Sequence, residues 1–211
     1  MKFIKSCYLF TFPLFLIGCA TAGAELQAQA KQDYASLRVE HFRSLMIVKD
    51  DELETSAQFS TFEGYRPVVP TDPYRALLVS STENYRNDEF IRAYIHKENG
   101  DETFQMYFML RGNEWNRPRE INFTAGLGSK PTQSIGIDVS CNVQFCNRDE
   151  DVIVSFTRLE LERVVQNLQV SSEVLLKFRV KGRTGKDYDG SFSISEIEAI
   201  LTAVKTYKSK K

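Results

Sequence analysis

The chain has 211 residues, with 27 Lys and Arg against 28 Asp and Glu and a formal net charge of −1. Without an excess of basic residues to neutralise phosphates, the composition argues against nucleic acid as a partner. The length permits one domain with a full-sized core, and 15 Phe and 9 Tyr suit aromatic packing in β-structure.

At the amino terminus, Lys2 and Lys5 precede an apolar stretch from Cys7 to Ile17, interrupted only by Thr11 and Pro13. As a helix this stretch would rise about 16 Å, roughly half a hydrocarbon core, so it is too short to span a membrane. Its flanks fit a secretory signal instead. The stretch closes on Leu16-Ile17-Gly18-Cys19, which resembles the lipobox of bacterial lipoproteins. The resemblance implies cleavage after Gly18, lipidation of the Cys19 thiol and acylation of the new terminus, with palmitate among the acyl chains. Ala20 and Thr21 follow, where lipoproteins kept in the inner membrane commonly carry Asp. The implied address is therefore the outer membrane, facing the periplasm. A plain signal cut after Ala24, from Ala22-Gly23-Ala24, is the competing reading. The expected organisation is a signal peptide over 1–18, a lipidated tether over 19–31 and a single domain over 32–211.

Within that domain, Leu26, Ala30, Tyr34, Leu37, His41 and Leu45 recur at helical spacing, so a helix is expected there with His41 on its apolar face. After Asp50-Asp51-Glu52 the period shortens towards two. Strands are expected over 53–62, over 76–80 and over Phe90–His96 and Thr103–Arg111, the last two joined by a hairpin at Asn99-Gly100. Ile121–Ala125, Ser134–Cys141 and Asp151–Phe156 continue the β pattern. Thr157 with Glu160 three residues on signals a capped helix over 157–167. Glu173–Val180 and Ser191–Ile194 read as a hairpin, and Ser193 with Glu196 as the start of a helix running to Tyr207. Lys205 to Lys211 reads as a frayed, solvated end. The expected fold is α+β: a mostly antiparallel sheet or sandwich-like body with an N-terminal helix, a short helix near 157–167 and a C-terminal helix.

Of four cysteines, Cys7 leaves with the signal and Cys19 carries lipid, leaving Cys141 and Cys146. An oxidising compartment makes a disulfide their default state, placed across a hairpin if Val143-Gln144 is its turn. Zinc would need ligands beyond His41 and His96, the only two histidines. The stretch from Gly185 to Glu196 partly resembles an EF-hand calcium loop, with Asp187, Asp189, Gly190 and Glu196 at the loop's third, fifth, sixth and twelfth places. Gly185 stands where the first Asp ligand belongs, and a strand rather than a helix precedes it, so a hairpin turn is the preferred reading. His96 beside Lys97 and Glu98 reads as a solvated hairpin residue, and Asp149-Glu150-Asp151 as a solvated turn. Gly126-Leu127-Gly128 lacks the context of a phosphate loop and reads as a flexible connection. No catalytic residue and no cofactor is assigned.

Contact residues give the stronger signal. Tyr-Arg pairs occur at Tyr65, Tyr74 and Tyr85, and Trp115, the single tryptophan, stands among Arg111, Arg117 and Arg119. Tyr, Trp and Arg are the types that dominate interface hot spots. Trp115, Tyr65, Tyr74, Tyr85 and Arg117 are thus the candidate partner contacts. The functional expectation is a lipid-anchored binding or scaffolding module. It would be held to the membrane by its N-terminal lipid, with an envelope protein or a polysaccharide such as peptidoglycan as partner. The alternative is an envelope hydrolase that uses carboxylates, assisted by His96 or a calcium ion.

Overall fold

The computed structural model describes residues 28–29, 32–63, 89–112, 115–141, 146–183, 185 and 187–210. Described elements from Ala35 onward belong to one compact unit. Residues 32–36 are helical, the helix breaks at 37–38, and α1 spans Val39–Ser44. The expected single helix with His41 inward is therefore corrected. Phe42 is the residue fully buried by α1, while His41 lies edge-on to it at 5.5 Å and Leu45 is exposed. A six-residue helix has too few internal hydrogen bonds to stand alone. Tyr34 of the expected stripe is buried on the helical turn before the break, and Phe42, outside that stripe, anchors α1.

Two antiparallel sheets follow. The larger contains β1 (Ile47–Lys49), β2 (Ser56–Ser60), β3 (Glu89–His96), β4 (Glu102–Gly112), β7 (Gln133–Cys141) and β8 (Cys146–Phe156), in the order β1-β2-β3-β4-β8-β7. The smaller contains β5 (Glu120–Phe123), β6 (Gly128–Pro131), β9 (Leu175–Lys181) and β10 (Tyr188–Ser193), in the order β10-β9-β5-β6. Helices α2 (Arg158–Ser171) and α3 (Ile194–Lys208) complete the body. This is an α+β fold. The Asn99-Gly100 hairpin joins β3 to β4: Gly100 takes the left-handed φ of +73°, and the Asn99 side-chain oxygen accepts the Asp101 N–H at 2.9 Å. The strand expected over 76–80 lies outside the described residues. The strand expected over 53–62 is confined to β2, because 52–55 form a turn.

Alternation along each strand sets the core. Phe104, Met106, Phe108 and Leu110 of β4 and Val152, Val154 and Phe156 of β8 share one face of the large sheet. Against that face pack Leu161, Val164 and Leu168 of α2, Ile197, Ile200 and Val204 of α3, and the inner residues of the small sheet. Phe178 is the hub, with ring centroids 5.0 Å from Phe108 and 5.5 Å from Phe192. Burying such rings contributes about 1.5–3 kcal/mol each, before packing terms.

Both helices start where the sequence signals, but only α2 has the expected box: at α3 Ser193 caps while Glu196 accepts the Thr61 hydroxyl instead. Thr157 and Glu160 form a reciprocal capping box on α2. Ser193 caps α3 through the Ser195 N–H at 3.2 Å. The end of the chain is ordered rather than frayed, at least to Lys208. That side chain reaches Glu102 at 2.9 Å and the Gly100 carbonyl at 3.0 Å, and the Tyr207 hydroxyl donates to Asp50 at 2.8 Å. The last turn of α3 thereby clasps the β3–β4 hairpin.

Candidate contact surface

After β4 the chain crosses towards β5 through residues 115–119, and one buried carboxylate fixes that crossing. Glu150, on β8, is 5% exposed and accepts the backbone N–H groups of Asn116 and Arg117, the latter at 2.9 Å to Oε2. Arg117 is held at a left-handed φ of +45°, which costs a non-glycine residue roughly 1 kcal/mol and needs such fixing. The Asn116 carbonyl in turn accepts the Arg183 N–H at 2.9 Å. The expectation that Asp149-Glu150-Asp151 is a solvated turn is corrected. The three lie in a strand, and Glu150 points to the core side, where only a hydrogen-bonded carboxylate is tolerated.

On this fixed loop the half-buried Trp115 ring lies beneath the Arg148 guanidinium, 5.5 Å from ring centroid to guanidinium carbon. Arg148 is directly opposite Val139 of β7, and Glu150 is opposite Ile137. Opposed residues of an antiparallel pair share a face, so Ile137 and Val139 point to the same side as Arg148 and Glu150. Strand β7 lies beyond the core cover, and these two side chains stay 66% and 48% exposed. The disulfide Cys141–Cys146 ties the end of the β7–β8 ribbon, with Cα atoms 4.0 Å apart, so the expected bridge is present. The proposed turn Val143-Gln144 lies outside the described residues.

The structure thus stacks Trp115 on Arg148, whose sheet face also carries Val139 and Ile137, and leaves the Arg117 side chain exposed. Tyr65, Tyr74 and Tyr85 lie outside the described residues. Sequence reasoning missed Glu150, Arg148 and the β7 pair. The alternation Ile135, Ile137, Val139 in a run with one charge was the available signal.

Elsewhere, the candidate calcium residues do not converge. Asp187 pairs with Lys181 at 2.9 Å, Asp189 with Arg179 at 2.6 and 2.8 Å, and Glu196 is buried and accepts the Thr61 hydroxyl. Among the described residues, no group of three or more His, Cys, Asp or Glu could hold a metal. Gly190 serves packing rather than a calcium turn. A Cβ there would stand 2.3 Å from the Phe178 ring that lies over it. His96 is half-buried rather than solvated, and its Nδ1 makes no hydrogen bond. Residues 124–127 are a tight hairpin turn rather than a flexible connection, held by the Asn167 amide donating to the Ala125 carbonyl at 2.8 Å.

A shallow pocket of ≈190 Å³ lies between that turn and α2, lined by Gly126, Leu127, Glu160 and Arg163 among others. Its one carboxylate, Glu160, is bound by Lys130 and by the Thr157 N–H and hydroxyl. Burial alone would raise that carboxyl, and these partners outweigh it and hold it below the usual range. Acid–base cleavage of a glycoside would need a second carboxyl and a proton held near neutral pH. The pocket supplies neither.

No protein-family model, curated protein or solved structure matches the chain. Among the described residues, no helix is long and apolar enough to cross a membrane.

Proposed function

We propose that this protein is a lipid-anchored envelope lipoprotein, tethered through Cys19 at the outer membrane, whose body faces the periplasm. It binds or scaffolds an envelope protein or a polysaccharide and performs no chemistry. One observation carries the binding half: an exposed apolar edge, Ile137 and Val139, beside an aromatic–cation pair, Trp115 and Arg148, on a loop held by buried Glu150. Apolar and aromatic groups displayed on a preformed support favour contact, because little ordering entropy remains to oppose binding. The engagement of Glu150, Asp187, Asp189, Glu196 and Glu160 in structural bonds weighs against the hydrolase alternative. The anchoring half rests on the Leu16–Cys19 motif and on the permanence of several acyl chains in a bilayer.

Affinity capture from native envelopes, with Cys19 retained, tests the binding half. The full chain retains a defined partner, and a Trp115→Ala, Ile137→Ser variant of unchanged melting temperature loses it. Equal capture by both, or cleavage of purified peptidoglycan by the wild-type protein, would contradict the reading. Intact-mass measurement of the membrane-extracted protein tests the anchor: a diacylated or triacylated Cys19 terminus is expected, and a free terminus at Glu25 would contradict it.

A further inference from the structure

We propose that strand β7 is a docking edge for an extended peptide segment alternating apolar and basic side chains, which adds to the large sheet as a further strand. This rests on the binding-module reading and names the partner's chemistry.

The described sheets end on four edge strands, and three of them are blunted. Strand β1 has three residues, β6 has four and ends in Pro131, and β10 has six and carries the ion-paired Asp189. Proteins commonly protect edges by such shortness, proline and charge. Strand β7 is different. It has nine residues without proline or a basic side chain, its one charge is Asp138, its bulge lies at the Ser134 end, and among the described strands β8 is its single neighbour. Each residue on its outer side offers backbone donors and acceptors to whatever lies alongside, the requirement for strand addition. A bulge interrupts the register between Ser134 and Gly136, and from Gly136 to Cys141 the pairing with β8 is regular up to the disulfide. The edge is therefore preformed.

Its two faces specify the incoming strand. On the core side stand Ile137 and Val139, 66% and 48% exposed, where apolar side chains of an added strand would be covered. On the other side Asp138 is directly opposite Asp149, and Asp151 is opposite Gly136. The Asp151 carboxylate lies over that glycine, since a Cβ at 136 would stand 2.8 Å from Oδ2. Arg111 of β4 is directly opposite Asp149, so Asp138 is the acid next to the open side, where a Lys or Arg of an added strand would stand beside it favourably. A second copy would do the reverse. Antiparallel pairing centred anywhere from Ile137 to Val139 sets Asp138 opposite or diagonal to its own copy. Charge complementarity thus favours a basic, alternating partner segment over self-association.

The full chain, purified from membranes in detergent, is titrated with two short peptides, one alternating valine with lysine and the other valine with glutamate. The lysine peptide is expected to slow hydrogen exchange at the β7 amides, and the glutamate peptide to leave them unchanged. Asp138→Lys, an exposed substitution, is expected to weaken the lysine peptide by roughly tenfold and reverse the preference. Equal binding of both peptides, protection confined to β6 or β10, or self-association through β7 would overturn the proposal. Capture of a Trp115-dependent partner whose complex leaves β7 amides exchanging freely would overturn strand addition and spare the binding module. Peptide docking on β7 with no partner captured from envelopes would do the opposite.

Discussion

The Glu150 carboxylate accepts the backbone N–H of Arg117 at 2.9 Å and holds that residue in the left-handed region. A single inward-pointing acid on β8 thereby fixes the loop that carries Trp115. Removing it orphans two backbone donors beside the core, at about 1–3 kcal/mol each before relaxation. Glu150→Ala is expected to destabilise by about 3 kcal/mol, and Glu150→Gln, which keeps an acceptor, by about 1 kcal/mol. Trp115 is the sole tryptophan, so its fluorescence reports directly on the loop. A red shift and lower anisotropy in the folded Ala variant are expected, with unchanged emission as the contrary result.

Gly190 is required by Phe178 rather than by its own backbone. Gly190→Ala places a Cβ inside the ring's space and is expected to cost about 1–3 kcal/mol by overpacking. Gly185→Ala tests the contrast, because its φ of +79° is strained for alanine but open space surrounds it. About 1 kcal/mol is expected there. Urea unfolding of both variants checks the ranking. Rescue of Gly190→Ala by Phe178→Leu would locate the clash.

Glu102 joins three elements. On β4, it bonds Arg158 of α2 at 2.6 Å and Lys208 of α3 at 2.9 Å. Burial raises its carboxyl, and the bonds and charges of the two cations outweigh this and hold it below the usual range. A carboxyl lowered on folding adds stability above its unfolded value, and that stability is lost as pH falls through the folded value. Glu102→Gln is therefore expected to cost about 1 kcal/mol near neutral pH and to cost progressively less as the solution is acidified below about pH 4. Chemical denaturation of both proteins across that range measures it. A deficit that persists undiminished in acid would contradict the assignment.

These residues show which parts of the fold were legible. Asn99-Gly100 and the Thr157–Glu160 box act within a few residues, so their patterns survive in the sequence and the structure has both. Strands β1 and β6 did not register, because three or four residues are too few for a period. Glu150 was misread for a different reason. Between two aspartates a carboxylate looks solvated, and only the long-range pairing of β8 with β4 shows that its side chain points inward. Lys208 was missed likewise, since its partners Gly100 and Glu102 are over a hundred residues away. The contact surface was half legible: Trp115 stood out by type, while Ile137, Val139 and Arg148 became a surface only once β7 proved to be an edge.

The disulfide closes the end of that edge. Replacing both Cys141 and Cys146 by serine is expected to lower stability by about 2 kcal/mol, the chain-entropy value for so short a loop. It is also expected to speed hydrogen exchange at the β7 amides nearest Cys141. Unchanged exchange would show that pairing with β8 alone holds the strand.

The most direct measurement is site-specific photo-crosslinking in native envelopes, from a photoreactive residue at Val139 compared with one at Val170. Val139 lies on the β7 edge, and Val170 is 88% exposed on α2. A discrete crosslinked partner from Val139, absent from Val170 and lost when Cys19→Ser displaces the protein from the membrane, is the expected result. The same diffuse products from both positions, or a discrete partner from Val170 alone, would contradict it.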